Sequence, residues 1–435
     1  MQHVATLLLA TVAAVGAAKP PPPPPARLHL LPATKGATCN DGTPGGYYLR
    51  APNASLPGSD RFTVYLEGGM WCWDEYSCQR RNETRPFFMG GLGKTAYPNY
   101  CNDSHWDGHC PTRELDKDMW STDAALNPEF AGATHVFVPY CSSDSWSGNR
   151  DASDSTYGWA FKGKEIVRQV FEALHEKHGL AAASAVYFTG VSAGGMGVLV
   201  NADSVGAYVK KVAPQAIYAA DMNAGWFTSL KPLGHCEDVP DCPQDQPAPA
   251  APTTVADQCR LGESLWGGVV DESCAKAMGE RDAWKCYLGD TGYRHVKEKL
   301  FVSEMQTDCW QLSWYGDAPA TNRTSNLCWH QDKGWPTAVQ KSFATKLRVQ
   351  LQAELSQVKR GIFSPVCYIH EVNWAQRIER AGSGCGKLQA LQSFVFAKPV
   401  DKKCGERLLD QCTGLECSKF CMVSSSDTKK NDGVR

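Results

Sequence analysis

The chain predicts an α/β fold of the α/β-hydrolase type, a mainly parallel central sheet flanked by helices and carrying disulfide-rich loops, and three observations predict it. Apolar runs of strand length, bounded by turn residues, recur at 62–66, 135–139, 185–189, 216–220 and 299–303, as buried strands do. Helical spacing separates them: Ile166, Val167, Val170, Phe171 and Leu174 share one face of a predicted helix over 161–178, and a second helical pattern runs over 196–211. Alternating strands and helices give a parallel sheet covered on both faces. The run at 185–189 also passes through Gly190-Val191-Ser192-Ala193-Gly194-Gly195 directly into the second helix, the strand–turn–helix setting of a nucleophile elbow.

From the N-terminus, residues 1–18 hold the apolar run 4–15 and end in Gly16-Ala17-Ala18. They read as a secretory signal, although the segment lacks a leading Lys or Arg and a short membrane anchor is the alternative. The apolar run is too short to span a bilayer comfortably, so no membrane span is expected in the mature chain. Residues 19–37 contain six consecutive prolines, Pro20 to Pro25, a stiff spacer that joins neither sheet nor helix. Folding is expected to begin near Leu28, with the main domain over 38–400 and a Pro/Ala-rich loop at 244–254 inside it. Four cysteines between Cys404 and Cys421 and a polar run to Arg435 make 401–435 a disulfide-stapled appendage and tail.

Composition narrows the class. The 435 residues are 43% hydrophobic and 21% charged, with a formal net charge of −2, an ordinary globular balance. The well-mixed charge lacks the basic excess of a nucleic-acid binder, so nucleic acid is not an expected partner. Nineteen cysteines without Cys-x-x-Cys zinc spacing point to disulfides and an oxidising, extracellular setting. Sequons at Asn53, Asn82, Asn102 and Asn322 are candidate glycosylation sites that agree with secretion. The chain reads as a monomer.

Chemistry centres on Ser192, whose turn needs glycines on both sides because side chains there would clash. Acyl transfer also needs oxyanion donors, usually the amide after the nucleophile and others from a loop after an earlier strand. Ala193 fits the first place, and Gly69 and Met70, in the loop after the strand at 62–66, fit the second. A serine hydroxyl needs a histidine to take its proton and a carboxylate to orient that histidine. In this fold the order is Ser, acid, His. Spacing leaves His370 with His330 as rival, and Asp308 with Asp317 as rival. Trp71 and Trp146 are candidate walls of an acyl pocket. Asp144 and Glu67, set among glycines and aromatics, are candidates for holding the site loops through hydrogen bonds rather than for catalysis.

Four blocks, Leu-Glu-Gly-Gly-Met-Trp-Cys at 66–72, Pro-Tyr-Cys-Ser-Ser-Asp-Ser-Trp-Ser-Gly at 139–148, Gly-Val-Ser-Ala-Gly-Gly at 190–195 and Ala-Gly-Trp-Phe at 224–227, resemble the pectin acetylesterase and Notum family of secreted serine carboxylesterases. The resemblance runs from about 38 to about 390. It implies Ser192, Asp308 and His370 as the triad, no cofactor, and as substrate either an acetylated polysaccharide or an acylated secreted protein. The second block reads closer to the Notum branch. Two departures stand out: Cys309 follows the acid where plant members carry serine, which marks it as a candidate unpaired thiol, and the 244–254 loop and the tail have no counterpart.

An O-acetylesterase of cell-wall or extracellular polysaccharide is the leading expectation, with a Notum-like palmitoleoyl-protein carboxylesterase as the alternative. A catalytically inactive binding protein on the same fold is the next rival, disfavoured because all three triad residues are present. A metal-dependent deacetylase would need grouped ligands. Asp103, His105, Asp107 and His109 are the nearest set, and no metal is expected.

Overall fold

The computed structural model describes residues 23–91, 110–116, 118–230, 254–315, 338–374, 376–380, 383–398, 404–415, 417–418 and 421. The strands are β1 (Ala26–Leu30), β2 (Gly46–Arg50), β3 (Arg61–Leu66), β4 (Thr112–Arg113), β5 (Thr134–Val138), β6 (Ala185–Val191), β7 (Ile217–Asn223), β8 (Leu300–Ser303), β9 (Ile362–Ser364), β10 (Arg377–Arg380), β11 (Ser383–Gly386) and β12 (Arg407–Leu409). Ten of them form one sheet in the order β12-β9-β8-β7-β6-β3-β5-β2-β1-β4, and β10 and β11 pair separately. From β5 to β12 all pairings are parallel, whereas β2, β1 and β4 add an antiparallel edge.

The five strands expected from apolar runs are thus β3, β5, β6, β7 and β8, each within a few residues of its expected bounds. β6 is buried along its whole length, as a strand covered on both faces must be. The helices are α1 (Glu75–Thr84), α2 (Gly163–His178), α3 (Ala193–Val212), α4 (Val255–Trp266), α5 (Glu272–Met278), α6 (Gly289–Gly292), α7 (Cys309–Tyr315), α8 (Ala338–Leu355) and α9 (Lys387–Phe396). The helix expected over 161–178 is α2, and its apolar stripe faces the sheet: Ile166, Val170, Phe171 and Leu174 are buried, and Phe171 meets Phe188 of β6 edge to face at 5.5 Å. Gly179 ends α2 in the left-handed conformation that glycine adopts most easily.

Two boundaries and one cysteine differ from expectation. β1 lies inside the 19–37 stretch assigned to a spacer. It pairs with β2 over four residues, because only the prolines lack the N–H that a ladder needs. The described part of the 401–435 appendage joins the main sheet. β12 adds a parallel edge to β9, and the bridges Cys385–Cys404 and Cys367–Cys421 fasten it to the main domain. Cys309 is disulfide-bonded, so it is not the spare thiol. Among the described residues the free cysteine is Cys259, buried in α4, where burial pushes its thiol well above the usual range. Bridges Cys39–Cys141, Cys72–Cys78, Cys274–Cys286 and Cys412–Cys417 are also present. No helix of the described residues is long and apolar enough to cross a membrane.

The order β5-β3-β6 places a reversal at β3, since the chain runs from β3 to β5 on one side and returns to β6 on the other. In open α/β sheets such a switch point leaves a crevice at the carboxyl ends of the strands. The loops after β3, β6, β7, β8 and β9 all emerge at that edge.

Candidate active site

Ser192 sits between β6 and α3 with φ 58° and ψ −122°, a backbone state sparsely populated by non-glycine residues and typical of functional strain. The turn is locked from three sides. Ser192 N donates to Asn223 O of β7 at 2.9 Å. A Cβ on Gly190 would lie 2.5 Å from Gly194 O, and one on Gly194 would overlap the Leu66 carbonyl at the end of β3. These glycines are therefore required by backbone approach. Ala193 opens α3, so its N–H has no acceptor within the helix and faces the helix N-terminal end, where negative charge is favoured.

The loop after β3 lies against this turn. A Cβ on Gly68 would come 2.5 Å from Val191 O and 3.0 Å from Ser192 Cβ, so Gly68 lies directly against the serine. Gly69 and Met70 follow with positive φ values of 141° and 62°. Gly69 is packed against the Phe88 ring.

Asp308, fully buried after β8, uses both oxygens. Oδ1 accepts from Trp310 N at 2.9 Å and pairs with His370 Nδ1 at 2.8 Å, and Oδ2 accepts from Gln311 Nε2 at 3.0 Å. That leaves His370 Nε2 as the nitrogen free to exchange a proton; it is buried and makes no hydrogen bond among the described residues. Burial lowers the His370 pKa, but the charge and hydrogen bond of Asp308, with Glu371 beside them, outweigh it and the net direction is upward. Glu304, four residues before Asp308, is pushed well above the usual carboxylate range by burial and by the Asp308 charge. Its Oε2 accepts from Trp226 N at 3.0 Å.

Aromatic contacts run from the loop after β3 to the histidine. Trp71 meets Phe227 at 5.4 Å, Phe227 meets Trp310 at 5.4 Å, and Trp310 meets His370 at 5.8 Å. Trp71 is 2% exposed, so it presents little more than an edge. Trp146 is not a pocket wall. It has no exposed surface, fills the space beside Gly197 of α3, and donates from Nε1 to Glu67 O at 3.1 Å. The indole needs a buried acceptor and finds it in the backbone next to Gly68.

Glu67 and Asp144 hold loops, as buried carboxylates satisfied by amides do. Glu67 Oε2 accepts from Tyr140 N at 2.8 Å. Asp144 accepts from Ser142 Oγ, Trp146 N and Gly163 N, yet burial outweighs these bonds and raises its carboxyl to about 6. Asn53 and Asn82 are exposed, in a turn and on α1. Asn102, Asn322, His330, Asp317, the set Asp103, His105, Asp107 and His109, the 244–253 part of the Pro/Ala loop and residues 1–18 lie outside the described residues.

Against known proteins, the Pectinacetylesterase family model matches residues 24–421. The chain belongs to the pectinacetylesterase family. It is 30% identical over 407 residues to palmitoleoyl-protein carboxylesterase notum1a of Danio rerio, covering 91% of this chain and 72% of that protein. To palmitoleoyl-protein carboxylesterase NOTUM of Homo sapiens it is 30% identical over 412 residues, covering 91% and 73%. The solved structure of the Wnt deacylase Notum from Drosophila superposes with a TM-score of 0.71 at 28% identity, over 92% of this chain and all of that one. The fold is the Notum-like α/β-hydrolase fold, and the family and these relatives make the chain a carboxylesterase.

Within this pectinacetylesterase frame the structure brings Asp308 and His370 into contact and sets Gly68 against Ser192. It also shows neighbours that reading the sequence passed over: Gly68, Asn223, Phe227, Trp310 and Gln311. Gly68 stood next to the chosen pair, and Trp310 and Gln311 stood within three residues of Asp308. Asn223 carried no local signal, because its contacts come from residues 149 positions away in the chain.

Proposed function

We propose that the chain is a secreted serine esterase that removes O-acetyl groups from extracellular polysaccharide through an acyl-enzyme on Ser192. Ser192 Oγ attacks the ester carbonyl while His370 Nε2 takes its proton; Asp308, bonded to Nδ1, fixes the tautomer and stabilises the imidazolium. The amides of Gly69, Met70 and Ala193 receive the oxyanion. His370 then gives its proton to the departing alcohol, and water, activated by the same nitrogen, releases the acid. The observation that carries the reading is the strained Ser192 turn at the sheet's switch point, with a buried Asp308–His370 pair on the same edge.

The family description, Pectinacetylesterase, favours a small acyl group. A second reading, removal of a lipid acyl group from a secreted protein, is favoured by the relatives named as palmitoleoyl-protein carboxylesterases. Secretion is supported by the signal-like residues 1–18 and by the disulfides, which persist in oxidising compartments.

Two measurements test this. A fluorophosphonate probe should label the protein and fail on Ser192→Ala; an unlabelled wild type ends the esterase reading. Acetyl and octanoyl chromogenic esters should then differ in kcat/KM in favour of acetyl, and a preference for octanoyl selects the lipid reading instead.

A further inference from the structure

His370 lies on an irregular stretch after β9, so its position depends on side-chain ties. Upstream the stretch is held by the Cys367–Cys421 bridge, and the imidazole is held by Asp308. Downstream one residue dominates. Asn223, at the end of β7, reads both backbone groups of Val372: Nδ2 donates to Val372 O at 2.9 Å, and Oδ1 accepts from Val372 N at 3.0 Å. This paired donor and acceptor has the pattern of a rung in a sheet, supplied by a side chain where no strand continues. The same residue's carbonyl accepts from Ser192 N at 2.9 Å. One residue thus touches the serine turn with its backbone and the histidine stretch with its side chain.

The tie is backed from below. Val372 O also accepts from Lys387 Nζ at 3.2 Å, and Lys387, fully buried, pairs with Asp221 of β7 at 2.9 Å. Asp221 accepts from Tyr187 OH at 2.6 Å and Ser303 Oγ at 2.7 Å. The strands β6, β7 and β8 therefore each contribute a buried polar group, Tyr187, Asp221 and Ser303, to the network that ends on Val372, and such a network rigidifies when its members are satisfied.

We infer that Asn223 is a positioning residue of the esterase, fixing His370 relative to Ser192 by clamping Val372. The inference rests on the serine-esterase reading above. Its carboxamide is dispensable for the strand itself, because the β7 pairing uses backbone atoms. Loss of the clamp therefore releases the histidine stretch while β7 remains in place.

The test compares Asn223→Ala and Asn223→Asp with wild type, using fluorophosphonate titration to count active sites before measuring steady-state hydrolysis. Misplacing a catalytic group by about an ångström costs on the order of 100-fold, so kcat per titrated site should fall about 10- to 100-fold in Asn223→Ala, with KM within about threefold. Asn223→Asp keeps the acceptor for Val372 N and loses the donor, so it should fall between the two and carries the test if the alanine variant does not fold. A residue important only for stability would lower the number of titrated sites and leave the rate per site intact. A rate per site within about twofold of wild type in the folded variants overturns the inference. Wild type that takes up no probe overturns the esterase reading and this inference with it, whereas labelled wild type with unimpaired variants overturns the inference alone.

Discussion

At the scale of single residues, the site is decided by what surrounds one imidazole. Burial opposes a charge on His370, and Asp308 more than reverses that effect, so its pKa lies above the ordinary 6.5. In the proposed role of general base the imidazole must be neutral, so kcat/KM should rise with pH through a midpoint above 6.5. Asp308→Asn removes the attraction and leaves burial, so the midpoint should drop below the ordinary value and the plateau should fall by about 10⁴-fold, as loss of the orienting acid does elsewhere. A midpoint unchanged between the two proteins would show that Asp308 does not set it. The same shift has a stability consequence of definite sign: a raised folded-state pKa contributes stability that is present below about 6.5 and lost as pH climbs through the folded value. Ser192 was legible in the sequence because its turn is a local demand on backbone geometry. The proposed acid and histidine, Asp308 and His370, were not uniquely legible, since spacing left Asp317 and His330 open, and the pairing of the two is a contact between residues 62 apart. Trp146 was misread because composition reports an indole but not which of its sides is covered.

At the scale of elements, the serine turn works because three strand ends approach more closely than any side chain permits. Gly194 is the critical case: a methyl group there would overlap the Leu66 carbonyl, which belongs to β3 and has no rotamer by which to yield. Gly194→Ala should destabilise the fold by roughly 1–3 kcal/mol or more and abolish probe labelling of Ser192. Gly179→Ala is the control, since a Cβ there meets nothing within 4 Å and should cost about 1 kcal/mol for its positive φ while labelling persists. Wild-type labelling of Gly194→Ala would refute the packing argument. The strands read correctly from the sequence are β3, β5, β6, β7 and β8, whose largely apolar runs of strand length are the signal. β9 and β12 have only three residues each, too few for any pattern to emerge. β1 and β2 mix polar with apolar residues and sit beside prolines and glycines, so β1 fell inside the expected spacer and β2 gave no continuous apolar run.

At the scale of the whole molecule, the histidine end of the sheet is its weak side. β8, β9 and β12 are short, and the stretch carrying His370 has no strand of its own, while the serine end is held between the long strands β6 and β7. Cross-links compensate where pairing is thin. Cys367 lies three residues before His370 and reaches Cys421 across a separation of 54 residues, and Cys385 and Cys404 close a second loop beside it. The sequence advertised these cysteines by number and could not pair them, because a bridge depends on which chain segments meet. Closing a loop of that length restricts the unfolded chain, so replacing both Cys367 and Cys421 by alanine should lower unfolding free energy by about 2–4 kcal/mol. The loss should be selective. Near the melting transition the histidine stretch should loosen before β6 and β7, so hydrolysis of ester substrate should fail at a lower temperature than the far-ultraviolet signal of the sheet and helices. Wild type under mild reduction should behave in the same way. Coincident loss of activity and secondary structure in the double variant, or an unchanged denaturant midpoint, would mean that the bridge is not what holds His370 against Asp308.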